Sequence, residues 1–140
     1  MVARSLAFVV FGCLASCEKL SSVEEKLVGS WEARVASDSS TIFTFEPNHT
    51  DWAVVHFHED TWLDGTGRWH VQGSEIVYDD VKYPEVAAEV AANDPSLANR
   101  PHHYTATFDL IGADTLKLDG ITLKRTKRPS KPSNPAPFSP

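Results

Sequence analysis

The chain has 140 residues, with 19 acidic side chains against 13 basic ones and a formal net charge of −6. An acidic excess argues against a nucleic-acid partner, whose phosphates need a basic face. Two cysteines exclude a disulfide framework, and the length suits one domain with a modest core.

The first residues read as an address. Met1 to Arg4 carry one positive charge, the stretch from Ser5 to Ala15 is apolar apart from Ser5, and small residues lead up to Cys17. A charged start, an apolar run of about ten residues and a small-residue site make a secretory signal over residues 1–16. The run is too short for a spanning helix, which needs roughly 20 apolar residues. Leu14-Ala15-Ser16-Cys17 resembles the lipobox of bacterial lipoproteins. The resemblance implies cleavage before Cys17, a diacylglycerol carrying palmitate-like chains on its thiol, and an acylated amino terminus. Each buried methylene contributes about 0.8 kcal/mol, so two or three chains anchor a protein stably in the cell envelope. In enterobacterial lipoproteins Asp after the cysteine favours the inner membrane; Glu18 here points to the outer membrane. Cys13 leaves with the leader, which rules out an intramolecular disulfide. Cleavage also removes Arg4 and no acid, leaving 12 basic residues against 19 acidic.

Residues 17–22 then form a lipidated terminus and short linker. Ser21 and Ser22 ahead of Glu24 and Glu25 predict a capped helix start, with Gly29 as its end. Eight short strand-like runs follow: SWEARVA, TIFTFE, DWAVVHFH, TGRWHV, EIVYDDV, HHYTATFDL, TLKL and ITLKR. Such spacing predicts an all-β barrel or sandwich over residues 23–126.

The hairpins set the register. Gly73-Ser74 suits a type II′ turn that places Trp69 opposite Tyr78 and Val71 opposite Ile76. Asp119-Gly120 suits type I′ and pairs Leu118 with Ile121 and Leu116 with Leu123. A loop centred near Leu63 would place Phe57 opposite Trp69 and Val55 opposite Val71. These pairings give one inward face, to which Phe43, Phe45, Tyr104, Ala106, Phe108 and Leu110 are added; a one-residue slip would turn it outward.

One connection is long. From Lys82 to Arg100, Pro84 opens a predicted helix, EVAAEVAA continues it and Asn93-Asp94-Pro95 stops it. Val86 and Val90 are one turn apart, so they share a side. This insert would cover a barrel end or face. Residues 127–140 are rich in proline and serine and read as a disordered tail.

The order of these parts carries a second resemblance. A short helix, Gly29-x-Trp31 opening the first strand, a meander, and Arg125 closing the last strand are similar to the calycin, or lipocalin-like, pattern. FTFEPNHT also resembles a hairpin of small bacterial lipocalin-like lipoproteins, with Asn48-His49 in place of Asp-Gly. The resemblance implies an eight-stranded antiparallel up-and-down barrel, with Arg125 packed over Trp31 at its closed end.

No catalytic constellation is evident, and the chain is read as a non-enzyme without a resident cofactor. His56 and His58 share one side of a strand, and the register above puts His70 opposite His56 and Arg68 opposite His58, with Asp79 beside Arg68. Three imidazoles on that outer face can hold Zn²⁺ or Cu²⁺; the competing reading is a polar face with an Arg68–Asp79 pair. The aromatic interior either packs solidly or encloses one small ligand. For a ligand, Tyr78, His102 and Tyr104, with Val86 and Val90 on the insert, would line the mouth. The functional readings are therefore a lipid-anchored binder of a small apolar or amphipathic molecule, a module that docks on an envelope protein, and a metal-binding lipoprotein.

Overall fold

The computed structural model describes residues 18–84, 92–97 and 99–133. The signal segment and Cys17 lie outside them. One short helix, α1 (Ser22–Leu27), precedes eight strands: β1 (Gly29–Ala36), β2 (Ser39–Phe45), β3 (Thr50–Phe57), β4 (Asp60–Gln72), β5 (Glu75–Lys82), β6 (Tyr104–Ile111), β7 (Thr115–Leu118) and β8 (Ile121–Thr126). Each strand pairs antiparallel with the next, and β8 returns to β1, so the sheet is a closed barrel.

Turn chemistry explains most of the register. Gly73 takes the positive φ that opens the β4–β5 turn, and both Asp119 and Gly120 take it in the β7–β8 turn. Trp69 lies opposite Tyr78, Val71 opposite Ile76, Leu118 opposite Ile121 and Leu116 opposite Leu123. The helix α1 begins with a reciprocal cap: Ser21 Oγ accepts from the Glu24 N–H, and the Glu24 carboxylate accepts from the Ser21 N–H. Phe45 is buried within the core, and Phe43 packs against it.

The β3–β4 hairpin corrects the sequence reading. There is no loop around Leu63. The chain turns at His58-Glu59, with His58 in the left-handed region and its N–H donating to the Asp38 carbonyl at 2.8 Å. Phe57 therefore faces Asp60 rather than Trp69, and Val55 faces Trp62 rather than Val71. A bulge between Ala53 and Val54 absorbs one extra residue of β4. Asp64, Gly65 and Gly67 resemble loop punctuation in sequence, but here they belong to a strand of 13 residues. Phe57 keeps its side of β3 but stands at the rim of the barrel, 45% exposed.

The long connection between β5 and β6 contains a 3-10 turn at Pro95–Leu97. The expected helix falls mainly on residues 85–91, which lie outside the described residues, and Val86 and Val90 lie there too. The first part of the segment read as a disordered tail is held to the barrel wall. Arg128 pairs with Glu46 at 2.5 Å and lies 5.7 Å from the Trp52 ring centre, while Lys131 approaches that ring at 5.8 Å. Trp52 alternates with the inward residues of β3, so these contacts cover its outer side and explain why an outward tryptophan is buried.

Candidate functional site

The barrel has a closed end built around α1. Trp31 lies on the inner face of β1 and donates its indole N–H to the Leu27 carbonyl at 2.8 Å. The Arg125 guanidinium lies 4.1 Å above the Trp31 ring. It also donates to the carbonyls of Val28 at 3.0 Å, Lys26 at 2.9 Å and Ala113 at 3.0 Å. The last carbonyls of α1 have no partner within the helix, and Arg125 supplies one. Gly29 has φ 127°, and a Cβ there would stand 2.6 Å from Arg125 Nη1. Glycine is thus required both for the turn from α1 into β1 and for the guanidinium's approach.

Glu24 ties the same end together. Its carboxylate accepts from the Val71 N–H at 2.9 Å and sits 3.3 Å from His49 Nε2. Burial alone would push this carboxyl up. The N–H groups of Ser21 and Val71, followed by His49, outweigh that and hold it below its ordinary value.

Two of the cavities that open here differ in character. One of about 500 Å³ is polar and includes Lys19, Glu24, His49, Arg68, His70 and Asp79 in its lining. The other, about 920 Å³, lies between α1 and the β6–β7 corner. Val23, Phe108, Leu110 and Ala113 give it apolar walls, and two cations, Lys26 and Arg125, and two acids, Asp109 and Asp114, complete its charged lining. Phe108 and Leu110 extend beyond the part of β6 that pairs with β5, so their inner sides face this space.

Of the residues expected to line a mouth, Tyr78 and Tyr104 meet. Their rings stack with centres 4.7 Å apart, and Tyr78 is only 2% exposed. His102 instead sets its Nδ1 2.5 Å from the Val81 carbonyl. Three residues that sequence reasoning missed join this region. Arg100 grips Asp64 with two hydrogen bonds of 3.1 and 2.9 Å and lies 3.9 Å above the Tyr83 ring. Burial first, and then Tyr83 and the Asp51 and Asp64 charges, push the Tyr104 hydroxyl up to about 12 against the opposing effect of Arg100.

Asp51 is a further interior group that the sequence reading passed over. It lies opposite Phe45 and Gly67 on the inner face of β3, and one of its carboxyl oxygens is buried without a partner. Burial pushes its pKa up to about 6. The sequence signal was an acid in phase with Ala53 and Val55.

The folded-state pKa of Asp51 lies above its unfolded value, so the native state binds the proton more tightly. Stability should then fall as pH rises from about 4 to about 6, and the loss should stay constant above that. Asp51→Asn should therefore stabilise the protein by about 1 to 3 kcal/mol above pH 6 and by little near pH 4. Urea denaturation of both proteins across this range checks it. A difference that does not change with pH would contradict the assignment.

The three histidines proposed as metal ligands are not brought together. His56 lies opposite Thr61 and contacts its hydroxyl at 2.7 Å, because the β3–β4 turn is tighter than the sequence suggested. His58 pairs with Asp38 at 2.6 Å. His70 lies 3.6 Å from Asp79, which also bonds His103 at 2.5 Å. Among the described residues, no group of three or more His, Cys, Asp or Glu side chains is placed to hold a metal ion.

Among solved structures, the chain is similar to a lipoprotein YedD from Klebsiella pneumoniae subsp. pneumoniae MGH 78578. The identity is 15%, 74% of each chain is covered and the TM-score is 0.45. No family model matches the chain, and no curated protein does.

Proposed function

We propose that this chain is a lipid-anchored protein of the bacterial cell envelope, held through Cys17, whose lipocalin-like barrel binds a small amphipathic molecule without transforming it. The observation that carries the binding reading is the cavity of about 920 Å³ beside α1. Ligand pockets typically span roughly 300–1,000 Å³ and combine apolar walls with a few polar groups. Here Phe108, Leu110 and Val23 offer the walls, and Lys26, Asp109 and Asp114 offer polar groups of both signs to the head group of an amphipathic ligand. The anchor reading rests on Leu14-Ala15-Ser16-Cys17 after an apolar run, and Glu18 supports the outer membrane.

An apolar fluorescent probe should brighten on binding, and Leu110→Arg should reduce that gain at least tenfold in affinity while leaving a cooperative unfolding transition. Radioactive palmitate should label the wild type and not Cys17→Ser. Absence of probe binding in the wild type would refute the carrier reading. It would favour docking on an envelope protein, for which the exposed Val35, Phe57 and Ile121 supply an apolar surface.

A further inference from the structure

Beyond β8 the chain continues Lys127-Arg128-Pro129-Ser130-Lys131-Pro132-Ser133, with neither helix nor strand. Its contacts with the barrel repeat every three residues. Arg128 and Lys131 stand over the same ring, that of Trp52, at 5.7 and 5.8 Å from its centre. Pro129 and Pro132 are half-buried, whereas Lys127, Ser130 and Ser133 are exposed. A period of three is that of the polyproline II helix, and each proline fixes φ close to the value that helix needs. Two of its three edges meet the wall and the third is left to solvent.

The wall supplies matching groups. Trp52 Nε1 donates to Glu46 Oε1 at 3.0 Å, which holds the carboxylate beside the ring. Arg128 meets both oxygens of that carboxylate, at 2.5 and 2.9 Å. A guanidinium fork fits such a carboxylate in two places at once. Arg128 and Glu46 share a cavity of about 280 Å³, and Lys131 and Trp52 share one of about 330 Å³, so the segment lies along a furrow in the wall. Among the described residues, no backbone hydrogen bond joins residues 127–133 to the sheet. The segment is therefore held by side chains and a ring face, not as a ninth strand, and nothing in those contacts requires that it belong to the same chain.

We propose that the Trp52–Glu46 wall is a docking site for a basic Pro-x-x-Pro peptide of another protein, and that the chain's own tail fills it as a competing ligand. Proline-rich segments bind aromatic surfaces well because their extended form is already ordered before binding. Here the aromatic face is Trp52, the spacing is that of Pro129 and Pro132, and the flanking cation that selects an acidic partner is Arg128. A tethered segment acts at an effective concentration in the millimolar range, so it closes the site until a tighter peptide displaces it or the tail is drawn away. This site shares no lining residue with the cavity beside α1, and the two readings stand or fall separately.

A fluorescein-labelled peptide of residues 127–133 is the probe, and fluorescence anisotropy is the readout. The full-length chain carrying both Arg128→Ala and Lys131→Ala, which loosens the tail, should bind this peptide at least tenfold tighter than the wild type does. In that background Glu46→Gln should weaken binding at least tenfold; glutamine keeps an acceptor for Trp52 Nε1 and loses the charge. A peptide with Pro129→Ala and Pro132→Ala has the same charge and should also bind at least tenfold more weakly. If Glu46→Gln does not fold, a peptide with Arg128→Ala tests the same contact from the other side and should lose as much. No binding to the loosened chain, equal binding of the peptide without prolines, or full affinity without the Glu46–Arg128 contact would overturn the proposal. So would a wild-type dimer that the loosened chain does not form, since the wall would then serve exchange of tails between two copies.

Discussion

Replacing Trp69 by alanine should cost about 3 to 5 kcal/mol, the range for removing a large buried ring. Trp69 is 1% exposed, packs against Phe45 with tilted rings 5.0 Å apart, and donates its indole N–H to the Glu46 carbonyl at 3.2 Å. It thus fills the interior and also fixes the β2–β3 turn that carries His49. The next residue, His70, points the other way and makes only a half-exposed contact with Asp79. His70→Ala should change stability by no more than about 0.5 kcal/mol. Urea denaturation of the two variants compares neighbouring positions on opposite faces of one strand. A larger cost for His70 would shift the register of β4 by one residue.

Arg125→Ala should cost about 2 to 4 kcal/mol, an unusual loss for a side chain so near the surface. The change removes the stack on Trp31 and leaves the carbonyls of Lys26, Val28 and Ala113 without their charged donor. Lysine is no substitute, because one ammonium cannot lie flat on the indole and reach three carbonyls. Lys124, the preceding residue, bonds only the Thr115 hydroxyl on the exposed face, so Lys124→Ala should be nearly neutral. Equal melting temperatures for the two alanine variants would remove Arg125 from the closure of the barrel.

Much of the fold was legible because turn residues and strand alternation agree. Gly73 and the Asp119-Gly120 pair have conformational reasons to sit where they do, and the apolar pairs on either side of each turn confirm one another. The β3–β4 hairpin was misread for the opposite reason. Its turn uses His58, which gives no signal of a positive φ, whereas the glycines of β4 imitate a loop. That single shift separated His56 from His70 and dissolved the imagined histidine patch. Asp51 was visible as an acid in phase with apolar residues, but its burial depends on neighbours such as Gly67, which only the folded barrel brings beside it. The Arg100–Asp64 grip spans two segments that no local pattern connects.

The seam between β1 and β8 has a consequence for how the molecule comes into being. Trp31 near the start of the domain is the partner of Arg125 near its end. The hairpins between them are local and can form in any order, but this last ladder must await the final strand, so closure is the contact with the greatest loop entropy to overcome. Until then β1 and β7 each present an unpaired row of backbone groups, open to strand addition by another unfinished chain. The strand that seals it is the last of the eight in the chain, and a chain cut short before Arg125 would lack the residue that closes the end.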